Sequence, residues 1–431
     1  MRRLTGPPAG QLAEPDQGFL GQHRTPRLVG LVWGLLVFNT LGSQGAVTIL
    51  PIPRPVSQAL TMGAVAAAFG VAILINPRLR IRPNAFLLLL SLLVVVSFAS
   101  SARLEVGAGA IFRSGRFTLF VATLWLLTPW FDDALTFVRD HIKMLGIVLA
   151  TVAAGLLVAP GLALPADYGG RLVGAIWPLT APQVGQYAAI IAGLTALLWI
   201  GRRTDRVSAL LVILPALGLL LLSHTRTATI GLVAALVMAV LSLTLTSARA
   251  RKVFGWGAMI SGFVAVALGP AVGAWLRRGQ DAENFANLTG RQKVWDALLD
   301  AQRSTIEELF GIGLTNKSFN GLPIDSSWLT VYHEQGYVGV VLVGLFILTL
   351  LFVAALRPPS VERACAVFLI VYCLMASYTE AGLGDASPYL LYLTLAAALL
   401  TRGQGEGKAM PRNEKSQFDD PKSTAREVVD P

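Results

Sequence analysis

Three arginines, an aspartate and a histidine are the residues of this chain whose types and settings could do chemistry. Arg226 sits in Ser223-His224-Thr225-Arg226-Thr227-Ala228, a very short turn between two apolar runs. Arg291 follows Leu288-Thr289-Gly290 at the start of a helical pattern, and Arg171 lies in Tyr168-Gly169-Gly170-Arg171-Leu172-Val173-Gly174. A guanidinium is a planar fork of five donors that suits phosphate oxygens better than an ammonium does, and N–H groups at a helix start add to its pull on an anion. Two or three such groups gathered in one place would hold a diphosphate. As the bond to a diphosphate leaving group breaks, negative charge develops on it, so cations fixed beside it stabilise the transition state more than the ground state. The second need is a base for an attacking hydroxyl. Asp325, in Ile324-Asp325-Ser326-Ser327-Trp328-Leu329, or His333, in Val331-Tyr332-His333-Glu334-Gln335-Gly336, could take that proton.

Each of these residues also has a plain structural alternative. An interfacial Arg226 could snorkel to lipid headgroups, Arg291 could be an ordinary surface charge, and the glycines beside Arg171 fit a simple turn. Asp325 could cap a helix. His333 could be hydrogen-bonded inside the head of a helix, and Glu334 could pair with an arginine for structure alone.

The elements that must position these residues are apolar. The chain is 54% hydrophobic and 14% charged, with a mean hydropathy of +0.62, whereas soluble domains carry about 25% charged residues. This is the composition of an all-α polytopic membrane protein. Windows long enough to cross a hydrocarbon core of about 30 Å fall near 28–47, 58–76, 85–101, 117–131, 142–163, 184–200, 207–222, 228–246, 253–275, 329–356, 362–378 and 387–401, which predicts about twelve transmembrane helices. Basic residues mark cytoplasmic loops, and Arg78, Arg80 and Arg82, Arg139 and Lys143, Arg202, Arg203 and Arg206, Arg249, Arg251 and Lys252, and Arg357 and Arg363 all fall in alternate connections. Both termini are therefore expected inside and the long polar loop 276–328 outside. The connection 379–386 holds Glu380 and Asp385 and no base, in keeping with an outward position.

The expected organisation is a cytoplasmic N-terminal segment over 1–27, a membrane domain over 28–401, and a disordered cytoplasmic tail over 402–431. The N-terminal segment lacks the apolar core of a cleaved signal. Within the external loop, Arg291 to Phe310 reads as one amphipathic helix, capped by Thr289 and ended by Gly311-Ile312-Gly313. The net charge of +10 is largely the topology signal, and no basic run interleaved with aromatics is left to read nucleic acid. His23, His141, His224 and His333 have no ligand spacing for zinc, Cys365 and Cys373 suit small apolar packing rather than a bridge, and no phosphate loop is present to drive transport. No cofactor is expected. The sequons at Asn287 and Asn316 are short enough to arise by chance.

The ordered set Ser-His-Thr-Arg-Thr-Ala opening a span, Leu-Thr-Gly-Arg-x-x-x-Trp, Phe-Gly-Ile-Gly, and Asp-Ser-Ser-Trp-Leu followed by Glu-Gln-Gly-Tyr-Val-Gly, over residues 168–345, resembles the O-antigen ligase and polymerase superfamily. The resemblance implies a glycosyltransferase C-like fold in the bacterial inner membrane. It implies transfer of a glycan from a polyprenyl-diphosphate carrier to an acceptor sugar hydroxyl on a glycan or glycolipid, without a metal. Arg226 and Arg291 correspond to the arginines taken to bind the carrier diphosphate. Ligases usually place a His-Asn pair where this chain has Asp325-Ser326, which favours a polymerase, or a ligase-like transferase with an acceptor other than lipopolysaccharide core. The competing expectations are a multi-span transporter or flippase for a lipid-linked glycan, and a non-catalytic subunit of a glycan assembly complex. A transporter should carry ionisable residues within its spans and paired broken helices.

Overall fold

The computed structural model describes residues 27–41, 47–103, 108–244, 247–267, 291–315 and 317–401. It is mostly helical, 76%, as expected for an all-α membrane protein. The principal helices are α1 (Arg27–Asn39), α2 (Arg54–Ile75), α3 (Ala85–Arg103), α4 (Ala108–Leu127), α5 (Ala134–Val158), α6 (Pro160–Ala163), α7 (Ala181–Ile200), α8 (Arg206–Leu222), α9 (Arg226–Thr244) and α10 (Ala248–Ala267). The polar loop then supplies α11 (Arg291–Leu299), α12 (Thr305–Phe310) and a hairpin of β1 (Ser318–Phe319) and β2 (Leu322–Pro323). The chain closes with α13 (Ser327–Leu356), α14 (Val361–Ala376) and α15 (Pro388–Leu399). Each of the twelve apolar windows overlaps a helix, and the fifth, 142–163, holds both α5 and α6. Among the described residues, six stretches are long and apolar enough to cross a membrane, one of them the fifty-residue Gly109–Val158 that contains both α4 and α5.

Where the core sits follows from which helices are apolar all round, because such a helix is buried in protein or faces lipid. In α15 every side chain from Tyr389 to Leu399 is buried, and α7 is buried along most of its length. Around them α14 packs along α9, α7 against α8 and α9, and α13 against α3. By contrast Leu211, Leu214, Val233, Leu348 and Phe352 are exposed on α8, α9 and α13, an outward apolar surface of the kind that lipid covers.

Two sequence expectations are corrected here. The helix over Arg291–Phe310 divides into α11 and α12, because Ser304 and Glu307 form a capping box that starts a second helix, and a capping box satisfies two otherwise orphaned N–H groups. The fourth window also extends upstream: α4 begins at Ala108, so Arg113 and Arg116 lie on a helix and not in a connection. Thr289, expected to cap α11, falls outside the described residues, as do 1–26 and 402–431. The hairpin is a feature the sequence reading missed. Its signal was Asn320-Gly321, both at positive φ (50° and 79°), the pair favoured in two-residue hairpin turns.

The polar loop is fastened to the bundle by two glycines. Gly336 (φ 66°, ψ −166°) breaks α13 one third of the way along, and Gly311 (φ 73°) ends α12 against that break. Ile312 and Gly313 donate their N–H groups to the carbonyls of His333 and Glu334 at 3.0 and 2.9 Å, bonds that the kink makes possible. A Cβ on Gly336 would stand 2.3 Å from the Leu309 carbonyl carbon, and one on Gly311 2.3 Å from the Gln335 nitrogen. Backbone cannot yield as a side-chain tip can. Gly336→Ala is expected to destabilise by roughly 3 kcal/mol or more, combining positive-φ strain with the clash. Thermal unfolding of the purified protein in detergent checks this, and an unchanged midpoint would show that the crossing is loose.

Candidate functional site

The helix ends at one side of the bundle converge: the end of α1, the start of α2, the end of α3 and the starts of α4, α7, α9, α13 and α15 all meet there. The turn between α8 and α9 is the first component. His224 takes a positive φ of 47°, which reverses the chain in three residues. Thr225 donates to the Ala181 carbonyl of α7 at 3.0 Å. Gly185 makes room for this turn, since a Cβ there would come within 2.7 Å of Ser223 Oγ and Thr225 Cβ. Arg226 is thereby held at the head of α9.

Arg171 is laced to the same turn from another part of the chain. Its Nε donates to the Ser223 carbonyl at 3.2 Å and one terminal nitrogen reaches Thr225 Oγ1 at 3.5 Å, while Leu172 N–H bonds the Leu222 carbonyl at 3.0 Å. Burial draws the Arg171 pKa down from the usual arginine value, Glu380 opposes this, and the charges of Arg291 and Arg226 lower it again. The group stays cationic at any ordinary pH. The three arginines are thus close enough to repel one another, an arrangement that costs free energy unless an anion joins them.

Two carboxylates face this cluster. Arg291, at the first residue of α11, donates from Nε to Asp325 Oδ2 at 3.1 Å, and one terminal nitrogen stands 3.9 Å from Glu380 Oε1. Asp325 is therefore an ion-pair partner and not the helix cap, a position taken by Ser326. Glu380 is the site residue that sequence reasoning passed over, having used it only as a sign of topology. It keeps 22% of its side chain open to the cavity, yet protein surrounds the rest, and that desolvation lifts its pKa to about 7, with Arg291 opposing the rise, Asp325 adding to it and Arg171 opposing it. A carboxylate poised near neutrality is what a general base needs.

Ser327 and Trp328 of Asp-Ser-Ser-Trp hold the segment that carries Glu380. Ser327 N–H bonds the Ser377 carbonyl at 2.9 Å. Ser327 Oγ donates to the Glu380 carbonyl at 2.6 Å and accepts from Gly382 N–H at 3.0 Å. Trp328 Nε1 donates to Ser377 Oγ at 3.0 Å, and Thr227 and Thr379 share a hydroxyl hydrogen bond of 2.7 Å. The non-helical stretch 380–387 is tied to α13 by these hydrogen bonds. Part of this stretch, Glu380, Ala381 and Asp385 to Ser387, lines a polar cavity.

That cavity has a volume of about 510 Å³ and is walled by Arg291, Asp325, Glu380, Gln183, Gln186, Glu334, Lys317, Asp385, Arg113 and Arg116 among others. It is large enough for a sugar or two and carries more polar groups than a drug-like pocket. Lys317 pairs with Asp385 at 2.8 Å. Glu334 accepts from Thr315 N–H, Thr315 Oγ1 and Lys317 N–H at 2.8, 2.9 and 3.2 Å, so it anchors the loop and does not pair with an arginine. Among the described residues no three His, Cys, Asp or Glu side chains form a metal-ligand group.

Of the five residues singled out from sequence, four come together. Arg171, Arg226, Arg291 and Asp325 share one cluster, of which Arg291 and Asp325 line the cavity and Arg171 and Arg226 do not; His333 does not line it either, its Nδ1 bonded to an Arg303 nitrogen at 2.9 Å and its ring edge-on to Phe319. The reading of His333 as a base is corrected: it packs the polar loop onto α13. Comparison with protein-family models finds none that matches the chain, and a search of curated proteins finds no significant match.

Proposed function

We propose that this chain is a metal-independent, inverting glycosyltransferase of the O-antigen ligase and polymerase type. It would transfer a glycan from a polyprenyl-diphosphate carrier to an acceptor sugar hydroxyl at the outer face of a bacterial inner membrane. In this reading the protein has twelve spans in a glycosyltransferase C-like arrangement, both termini inside, and the cavity opening outward. The observation that carries it is the gathering of Arg171, Arg226 and Arg291 from distant parts of the chain near Glu380 and Asp325, with Arg291 and both carboxylates on the wall of a polar cavity.

In the proposed step the carrier diphosphate rests between the three guanidinium groups, which supply the charge stabilisation that a metal provides elsewhere. Glu380 accepts the proton of the acceptor hydroxyl. The oxygen attacks the anomeric carbon from the face opposite the diphosphate, and the bond to the phosphate oxygen breaks, its electron pair leaving with the diphosphate. Asp325 already receives a hydrogen bond from Arg291 Nε and acts by orienting that arginine. Glu380 lies beyond hydrogen-bond distance of Arg291 and is free to take a proton.

Purified protein in nanodiscs, given a carrier-linked oligosaccharide and a set of sugar acceptors, should form a new glycosidic bond and release carrier diphosphate. Movement of the intact lipid-linked glycan across the bilayer with no new bond would favour the flippase reading. Neither product would leave a non-catalytic assembly role.

A further inference from the structure

The other end of the helix bundle carries a charged groove that the proposed transfer does not use. α7 begins at the cavity, where Pro182, Gln183 and Gln186 line the wall, and Trp199, near its other end, lies roughly 25 Å further along the axis at the helical rise per residue. There an open groove of about 500 Å³ lies between the turn that joins α7 to α8 and the start of α10, walled by Trp199, Arg202, Arg203, Arg206 and Arg249. Asp205 is the one acid among the described residues that line it, and its Oδ2 accepts the Ser208 N–H at 2.8 Å as the cap of α8.

The fold fixes these arginines in place. Arg203 N–H bonds the Leu198 carbonyl at 2.8 Å and Arg202 N–H that of Trp199 at 3.1 Å, a helix closure whose left-handed residue is usually glycine. Here that residue is Arg202, at φ 58°, so a guanidinium is carried there at a cost in backbone strain. Arg249 lies over the Trp199 ring, its Cζ 4.5 Å from the centroid, a contact that holds the guanidinium flat and leaves its in-plane donors available. Arg203 pairs with Glu362 of α14 at 3.5 Å. Among the described residues Arg202, Arg206 and Arg249 make no ion pair.

Orienting the chain needs basic residues in these connections; it does not need arginines from two connections around one groove. Like charges held together repel one another until an anion joins them. The surroundings say which anion. On α8, Arg206 shares a helix face with Leu210 and Leu214, which are 42% and 62% exposed, since residues four apart lie on one face. On α10, Arg249 shares a face with Trp256, two turns on and 62% exposed. The charged head of the groove therefore continues into two outward apolar stripes. A soluble anion would use only the first part, whereas a phosphate head with hydrocarbon tails matches both.

We propose that this groove binds an anionic phospholipid, its phosphate held by Arg202, Arg206 and Arg249 and its acyl chains lying along α8 and α10. The site does not depend on the glycosyl-transfer reading. The full chain in detergent, titrated with dioctanoyl phosphatidylglycerol or dioctanoyl phosphatidylcholine and followed by native mass spectrometry, should bind the first about tenfold or more tighter, the scale of a charge-assisted hydrogen bond. Glycerol phosphate in equal amount should not displace it.

The double variant Arg206→Gln with Arg249→Gln should lose the preference. Arg206→Lys with Arg249→Lys keeps the charges that orient the chain and should still lose most of it, because an ammonium lacks the bidentate fork; this variant carries the comparison if the glutamine one does not insert. Arg78→Gln, at an exposed base of another connection, should leave the preference in place. Equal binding of the two lipids, a preference undiminished in either double variant, or an equal loss in Arg78→Gln overturns the site. Displacement of the lipid by glycerol phosphate overturns the phospholipid and assigns the groove to a soluble anion.

Discussion

For the proposed transfer reaction, Arg291→Ala is expected to lower the rate by about 10³-fold or more, the scale seen when a fixed charge or donor on a developing anion is removed, and Arg226→Ala is expected to show a loss of similar size. The two residues are reached through different elements, the head of α11 and the turn before α9, so equal phenotypes would tie them to one ligand. The loss falls mainly on kcat, because the leaving diphosphate carries more charge in the transition state than when bound in the ground state. Lysine should recover little at either position, since a single ammonium cannot reproduce the bidentate fork. Wild-type rates in both alanine variants, measured on protein shown to be folded and inserted, would remove the diphosphate clamp from consideration.

Glu380→Gln should lower kcat by about 10²- to 10⁴-fold, the usual contribution of a positioned general base, and it should also abolish the acid limb of the pH profile. The sign follows from the pKa near 7. The base works only when deprotonated, so kcat/KM rises with pH, about tenfold per unit below that value, and levels above it. A bound diphosphate adds negative charge nearby, which raises the Glu380 pKa further and moves the limb of kcat to higher pH than that of kcat/KM. The neighbours supply opposite tests. Arg291 lowers the Glu380 pKa and Asp325 raises it, so the residual activity of Arg291→Ala should carry its limb at higher pH, and Asp325→Asn at lower pH. A flat wild-type profile between pH 5 and 8, or limbs that move the other way, would exclude Glu380 as the base.

How far the site was legible depended on the kind of signal each residue leaves. Arg226 stood out because a charge beside an apolar run is costly and therefore conspicuous, and Arg291 because it heads a helical pattern in the polar loop, where N–H groups add to its pull on an anion. Glu380 did not, since an acid in a short connection between spans is ordinary until its surroundings are known. Its raised pKa comes from burial between α13, α14 and the stretch leading into α15, contacts over fifty residues apart in the chain. His333 erred in the opposite direction: its residue type invited a chemical role, but the hydrogen bond to Arg303 assigns it to packing. Arg113 and Arg116 were hidden by the apolar window itself, which began after them.

The sequence by itself determined the helical class with membrane-like apolar helices and where along the chain those helices fall. Those depend on local quantities, namely the hydropathy of consecutive residues and the cost of a charge among them. The tertiary structure decided which polar groups share a cavity and which acid is desolvated. Such properties depend on distances between segments far apart in the chain, among them the close approaches at Gly311 and Gly336, where the absence of a side chain lets one backbone cross another, and at Gly185, where it admits the side chains of Ser223 and Thr225.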